Sequence, residues 1–352
     1  MHISRILCII IIFVIFIVIV ILLNLYKDKS KEIYVIHHYE SINTNYDSNE
    51  FCNKTNWDGC FRHTNKNITF FNPSIYDSTY KTIKVAPFNF CNPNRLIWPS
   101  DKDHEEDYKV VLMKNDEPIY VISRAEDGRL IKCQERLICI YTAPFFTNPT
   151  TSIMHMFDFS TNKKWKLKYD KAAPMEKNWS PFVYNNELYL SYKLSPHNVL
   201  KCDINTGTCT EMYLSNSKLP SNIRGSSQII PWKNNYIGIA HTTTTTGVLE
   251  RTYIHYIFIM NENPPFEIVR SSIPFTFPTH FNDWRDKIQF CCGLFIKDKY
   301  FYISYGVADC LSFILKVHET EIEHLLNGTK DTLDITSNSL INYDNLNLNS
   351  KK

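Results

Sequence analysis

The chain carries almost no excess charge. Its 38 Lys and Arg stand against 36 Asp and Glu, a formal net charge of +2 over 352 residues. That excludes the basic footprint of a nucleic-acid-binding surface, so no nucleic-acid partner is expected. Long helical periodicity is lacking as well. So is metal-ligand spacing: His37 and His38 are adjacent rather than spaced for one ion, and Cys291-Cys292 suit a disulfide as readily as a metal. No metal and no cofactor are expected. Finally, no small-residue cleavage site follows the one long apolar run, "ILCIIIIFVIFIVIVILL", Ile6–Leu23.

That run is uncharged, long enough to cross a bilayer and longer than a typical signal-peptide core. The expected organisation is a short head (1–5), a transmembrane signal anchor (6–24) and a polar stalk and lead-in (25–65). A cleaved signal peptide is the competing reading. Arg5 on one side faces Lys27, Lys29 and Lys31, offset by Asp28 and Glu32, on the other, so the positive-inside count does not set orientation. Ten of the eleven cysteines lie beyond the run, with local pairs Cys52/Cys60, Cys133/Cys139 and Cys202/Cys209, and Asn53, Asn67, Asn178 and Asn327 each open an N-x-[ST] triplet. Local pairs suit disulfides in an oxidising lumen. The expectation is a type II single-pass membrane protein with its folded part lumenal or extracellular. Buried free thiols in a reducing compartment are the alternative.

One short pattern recurs. "NPSIYDSTYKTIKV" from Asn72, "GRLIKCQERLICIYTA" from Gly128, "SPFVYNNELYLSYKL" from Ser180, "SSQIIPWKNNYIGIAHT" from Ser226 and "CGLFIKDKYFYISYG" from Cys292 each run from an apolar stretch through a polar turn into an alternating strand. Turns are expected at Asn185-Asn186, Asn234-Asn235 and Lys297-Asp298. This is a hairpin repeated five times. The starts lie about 45 to 65 residues apart, enough for a four-stranded sheet each time. "SIMHMFDFSTNKKWKLKY" and "HNVLKCDINTGTCTEMYL" supply further strand pairs. The period predicts an all-β, five-bladed propeller over 66–320 with a polar, Asn-rich tail over 321–352. A β-sandwich, the competing fold, predicts no such period.

In a propeller the innermost strand of each blade lines the central channel. The unusual polar residues precede those strands: Asn72 in "FFN", Glu126 and Asp127 in "RAED", Lys177, Asn178 and Trp179 in "MEKNW", and "NIRG" before the fourth unit. Blocks distant in sequence thus converge on one channel mouth. Glycoside transfer suits such a cluster, because its oxocarbenium-like transition state needs a carboxylic acid at the leaving oxygen and a nucleophile on the opposite face. Asp127 is the candidate general acid. Arg129, Lys177 and His241 are candidates for binding an anion, and Trp179 for stacking on a sugar. Each also has a structural reading: a turn ion pair for Asp127 with Arg129, a solvated loop for Glu176-Lys177-Asn178, a core histidine for His241, a turn start for Asp309.

"EDGRL" followed by "ICIYTA" resembles the Glu-Asp-Pro-Arg motif of the five-bladed β-mannoside phosphorylases and hydrolases, glycoside hydrolase family 130, and related mannosyltransferases. "FFNPSI", "EKNWSPF", "GSSQIIPWKNNYIGIAHTT" and "IQFCCGLFIKDKYFYISYGVADCLSFILKV" resemble its other blocks in the same order, from Asn72 to Val317. The resemblance implies an inverting enzyme acting on β-mannosides, with Asp127 as general acid acting through a sugar hydroxyl. It places Arg129, Lys177 and His241 in the anion or sugar pocket and Asn178 and Asp309 in sugar-contacting motifs; Asn72 and Glu126 complete the expected substrate-binding set. Inorganic phosphate or a sugar phosphate enters as co-substrate. Two departures stand out. Gly128 replaces the motif's Pro, which is expected to loosen the turn holding Asp127. "FPTHFNDWRDKIQF" has no glutamate to serve as a hydrolytic base, which favours phosphorolysis or transfer. A catalytically silent carbohydrate-binding propeller on a membrane or virion surface, and a propeller glycosidase of the arabinose or fructose type, are the other readings.

Overall fold

The structure, a computed structural model, describes residues 39–41, 69–86, 108–145, 151–245 and 251–329. The apolar run Ile6–Leu23, the stalk, Cys52/Cys60 and the sequons at Asn53 and Asn67 lie outside the described residues. Among the described residues no helix is long and apolar enough to cross a membrane.

A three-residue strand comes first, β1 (Tyr39–Ser41), and four-stranded antiparallel sheets follow it. Blade 1 holds β2 (Thr69–Ile75), β3 (Tyr80–Ala86), β4 (Lys109–Lys114) and β5 (Glu117–Ser123). Blade 2 holds β6 (Glu126–Cys133), β7 (Arg136–Phe145), β8 (Thr151–Asp158) and β9 (Lys163–Lys166). Blade 3 holds β10 (Ser180–Tyr184), β11 (Glu187–Leu194), β12 (His197–Cys202) and β13 (Cys209–Ser215). In blade 4 the inner strand is split into β14 (Arg224–Gly225) and β15 (Ile230–Trp232), both paired to β16 (Asn235–Thr245), beyond which lie β17 (Arg251–Asn261) and β18 (Ile268–Ser271). Blade 5 holds β19 (Gln289–Lys297), β20 (Tyr300–Val307) and β21 (Leu311–His318), and β1 supplies its outer strand through Tyr39↔Leu315 and Ser41↔Phe313. The N-terminal strand thus closes the ring on the last blade.

All five expected hairpins form: β2–β3, β6–β7, β10–β11, β15–β16 and β19–β20. The β10–β11 turn uses residues that tolerate positive φ, as a two-residue turn with the right twist requires. Asn185 and Asn186 have φ of 49° and 59°. Two turns sit one residue from the expected place, at Lys233-Asn234 and Asp298-Lys299, because cross-strand pairing puts Asn235 and Lys297 inside strands.

Apolar residues pack between neighbouring blades. Leu130, Cys139 and Tyr141 of blade 2 meet Val110 and Ile122 of blade 1, while Ile131, Ile138 and Met154 of blade 2 meet Leu188 and Leu200 of blade 3. This two-faced burial explains one correction. Cys139 pairs with Leu130 across the hairpin, and Cys133, three residues further along β6, points to the opposite face. The two thiols are buried and free in different layers; Cys291 and Cys292 are likewise buried and free, while Cys202–Cys209 is a disulfide. A second correction concerns the tail. Residues Glu319–Leu326 form helix α1, whose Ile322, Leu325 and Leu326 are buried in the core beside blades 4 and 5, so the boundary at 320 falls inside an ordered element.

His197 and His255 are buried in this framework and His280 is partly buried, and burial lowers their pKa values from the ordinary 6.5: His197 to about 4, His255 to about 3 and His280 to about 4. Folding withholds protons that the unfolded chain accepts, so the stability they permit is present above pH 6.5 and lost as pH falls toward 4. Each tenfold loss of proton affinity corresponds to about 1.4 kcal/mol. The melting temperature is therefore expected to drop by several degrees between pH 7 and pH 5. A scan that is flat over that range contradicts this assignment.

Candidate active site

The inner strands begin at one face of the ring, and the backbone there is bent. Register shifts interrupt β2 between Phe71 and Ser74, β6 between Glu126 and Arg129, and β19 between Cys291 and Gly293. Such bulges re-aim a side chain out of the sheet. Asn72, Asp127 and Asn178 hold φ of 48°, 50° and 66° there, and Asp309, in the β20–β21 turn on the same face, 50°. Asn and Asp are the residues other than Gly that visit this left-handed region most readily. Their presence is therefore partly a backbone requirement.

Asp127 is 9% exposed. Its Oδ1 accepts a hydrogen bond from Asn72 Nδ2 at 2.9 Å, a link from blade 1 to blade 2. Asn72 has room because residue 306 is glycine: a Cβ there would meet Asn72 Oδ1 at 2.2 Å. Gly128 corrects the expectation of a loose turn. A Cβ there would lie 2.6 Å from Val110 Cγ1 and 2.7 Å from Cys139 Sγ, and its carbonyl accepts from Thr82 Oγ1 at 2.6 Å. The glycine permits a tight approach of backbone to blade 1 and is held there.

Glu126 is gripped by two cations. Lys84 Nζ lies 2.9 Å from Oε1 and Lys177 Nζ 3.2 Å from Oε2. Burial alone would raise the Glu126 pKa; the ammoniums of Lys177 and Lys84 outweigh it and hold the carboxylate at about 2 against an ordinary 4.5. Lys84 sits over the rings of Phe71 and Tyr108, 4.9 and 5.0 Å from their centroids. Burial works against its charge, but Glu126, Asp127 and Asp309 together raise its pKa above the ordinary 10.5. Burial also pushes the Asp309 carboxyl up, with Lys84 opposing and Asp127 adding to the rise. Tyr253, on β17, is raised to about 12 by burial and by Asp309. Five blades therefore contribute to one mouth: Asn72 and Lys84, Glu126 and Asp127, Lys177 and Asn178, Tyr253, and Asp309.

Four expected substrate contacts have other employment. Arg129 is fully buried; its Nε donates to the Ser226 carbonyl, Nη1 to the Asp127 carbonyl at 2.9 Å and Nη2 to Asn178 Oδ1 at 3.0 Å. It ties blades 2, 3 and 4 together directly behind Asp127. Asn178 is 7% exposed and occupied by this bond. His241 is buried, its Nδ1 2.7 Å from Ser226 Oγ. Burial, with His255, Arg129 and Arg224 nearby, drives its pKa well below 6.5, so the ring is neutral and offers no positive charge to an anion. Trp179, expected to stack on a sugar, is 1% exposed in the layer between blades 2 and 3, its Nε1 donating to Glu176 Oε2 at 2.9 Å. An indole buries easily once its N–H has a partner. Trp179 and Glu176 anchor the loop that presents Lys177 and Asn178.

No protein-family profile matches the chain. A β-mannosyltransferase of Candida albicans is 22% identical over 312 residues, covering 76% of this chain; the match spans 56% of that relative, so the chain corresponds to little over half its length. A β-1,2-mannobiose phosphorylase from Listeria innocua, solved with β-1,2-mannobiose, superposes with a TM-score of 0.51 at 13% identity, covering 82% of this chain and 99% of that one. A GDP-Man-dependent mannosyltransferase from Leishmania mexicana gives 0.53 at 10% identity, covering 71% and 85%. The fold is that of the mannoside phosphorylase and mannosyltransferase propellers. The resemblance read from the motif blocks is therefore matched by the architecture of the ring.

Sequence reasoning missed Lys84, Tyr253 and Gly306. Lys84 left a trace, a lysine inside the apolar strand "TIKVA", where an unpaired ammonium is too costly to bury. Tyr253 left none, since tyrosine on a strand is ordinary. The segment 277–290, searched for a base, contains Asp286, whose carboxylate accepts backbone N–H bonds from His280, Phe281 and Asn282 and so closes its own loop.

Proposed function

We propose that the chain is a carbohydrate-active enzyme that makes or cleaves β-mannosides with inversion, by transfer or phosphorolysis, with Asp127 as the general acid. The observation that carries this is the division of labour between the two neighbouring carboxylates. Both oxygens of Glu126 are engaged by Lys84 and Lys177, which keeps it ionised and removes it as a proton donor. Asp127, steered by Asn72 into the mouth, is left to serve the leaving oxygen. In the cleaving direction the bond from the anomeric carbon to the glycosidic oxygen breaks and Asp127 delivers its proton to that oxygen, directly or through a sugar hydroxyl. Phosphate or an acceptor hydroxyl bonds to the carbon from the opposite face. In the synthetic direction Asp127 takes the acceptor's proton.

Lys84, Lys177 and Arg251 bear on the mouth alongside Glu126, Asp127 and Asp309, with the Arg129 guanidinium directly behind Asp127. That balance supports a phosphate-bearing co-substrate. The engagement of Asp286 within its own loop supports transfer or phosphorolysis over hydrolysis. The apolar run Ile6–Leu23 supports a membrane anchor, and the Cys202–Cys209 disulfide supports a lumen-facing enzyme acting on glycans. The test is an assay on the full chain in detergent with mannose 1-phosphate and GDP-mannose as separate donors and a panel of mannosides as acceptors. A β-linked product, identified by its anomeric carbon–proton coupling, is expected from one donor. An α-linked product, or release of free mannose alone, overturns the inverting-transfer reading.

A further inference from the structure

Beside the mouth, between blades 3 and 4, lies a cavity of about 420 Å³ lined by Lys177, Asn178, Tyr192, Lys193, Asn222 and Arg224 among others. It shares Lys177 and Asn178 with the proposed reaction centre. Its volume is near the lower end of small-molecule clefts, about 300–1,000 Å³, which suits one or two sugar rings.

The lining is cationic without matching acids. Glu176 is the carboxylate in the wall, and its oxygens are occupied: Oε1 accepts from the Ala173 N–H at 2.5 Å and the Tyr192 hydroxyl at 2.8 Å, Oε2 from Trp179. Lys177 is paired with Glu126. Lys193 and Arg224, by contrast, have no carboxylate partner among the described residues. Lys193 is not simply extended into solvent: its ammonium sits 5.3 Å from the centroid of the Tyr192 ring, which itself lines the cavity. Strand β11 shifts register between Ser191 and Lys193, at the point where the Tyr192 and Lys193 side chains enter the cavity wall. Two unpaired cations, an aromatic ring and the amide of Asn222 thus line one cavity that shares Lys177 and Asn178 with the reaction centre.

We propose that this cavity binds the phosphate-bearing part of a saccharide, its phosphate held by Lys193 and Arg224 and its ring lying against Tyr192, so that the second substrate at the mouth is a phosphorylated glycan. The proposal rests on the reading of the mouth as the reaction centre and specifies what enters beside it. Guanidinium and ammonium groups both recognise phosphate, the former in two-point fashion, and such charge-assisted bonds are about twice as strong as neutral ones.

The test is equilibrium titration of the full chain in detergent with three probes: mannose 6-phosphate, mannose and inorganic phosphate. Mannose 6-phosphate is expected to bind at least about tenfold more tightly than mannose, and to lose about tenfold in Lys193→Ala and in Arg224→Ala. Lys193→Arg should retain the affinity, which separates charge recognition from a packing defect. With a phosphorylated acceptor, the alanine variants should raise KM and leave kcat in place. Unchanged affinity in both alanine variants overturns the proposal, as does inorganic phosphate that binds as tightly as mannose 6-phosphate and loses as much in the same two variants, since that marks a plain anion site. The Asp127→Asn variant should bind mannose 6-phosphate as the wild type does. If instead it turns over normally while the charge dependence holds, the reaction-centre reading fails and the cavity stands as a sugar-phosphate site.

Discussion

Asp127→Asn is expected to lower β-mannoside turnover by about 10²–10⁴-fold, the usual contribution of general acid–base catalysis, while mannoside affinity changes by no more than a few-fold. The separation follows from the geometry. An amide at this position keeps the carbonyl that accepts from Asn72, so the left-handed turn and the ring around it persist. What disappears is the transferable proton. Kinetics and titration on the same preparation read the two quantities independently. A catalytically silent carbohydrate-binding propeller would show equal binding and no turnover in either protein. A variant that keeps turnover within about tenfold of wild type would remove Asp127 from the acid role.

The second large effect is structural. Lys84→Met should destabilise the fold by about 3–5 kcal/mol, because removing one member of a buried pair strands the other charge; Glu126 would keep only Lys177, whose side chain is 37% exposed. Adding Glu126→Gln should recover part of the loss, giving a coupling energy of about 1–3 kcal/mol in a double-mutant cycle. The pair also has an acid limit. The folded-state pKa of Glu126 is depressed, so its contribution is complete above about pH 4.5 and vanishes as pH falls toward 2. This window overlaps the lower end of the histidine window, which runs from 6.5 down to between about 4 and about 3, so the loss that begins near pH 6.5 should steepen below about pH 4.5. Additive single-mutant losses would show that Lys84 and Glu126 do not act as a pair.

The ring was legible because a hairpin reports itself locally. Asn185-Asn186 between "SPFVY" and "ELYLSYKL" names its own turn type, and the pattern recurs five times. What escaped depends on contacts distant in sequence. Strand β1 pairs with β21 more than 270 positions away, and nothing in "YES" announces it. The partner of Lys84 lies 42 positions on, across a blade boundary. Trp179 and Arg129 were misjudged for one reason. Both types serve at ligand sites and in cores, and the deciding fact is whether Glu176 or the Ser226 carbonyl stands within reach. Cys133 and Cys139 failed as a pair through strand parity, visible only once the hairpin register is known. Placement of polar residues before the inner strands carried more information than the residue types themselves. It located the mouth, although several of those residues build the mouth rather than face it.

The central claim is that the mouth formed by Asn72, Lys84, Glu126, Asp127 and Asp309 is where a β-mannoside reacts. A crystal structure of the Asp127→Asn variant soaked with a β-linked mannobiose tests it most directly. The account predicts a disaccharide across the mouth, with the glycosidic oxygen or a neighbouring sugar hydroxyl within hydrogen-bond distance of the side chain at 127. A disaccharide seated elsewhere, with that side chain remote from the glycosidic bond, would contradict it.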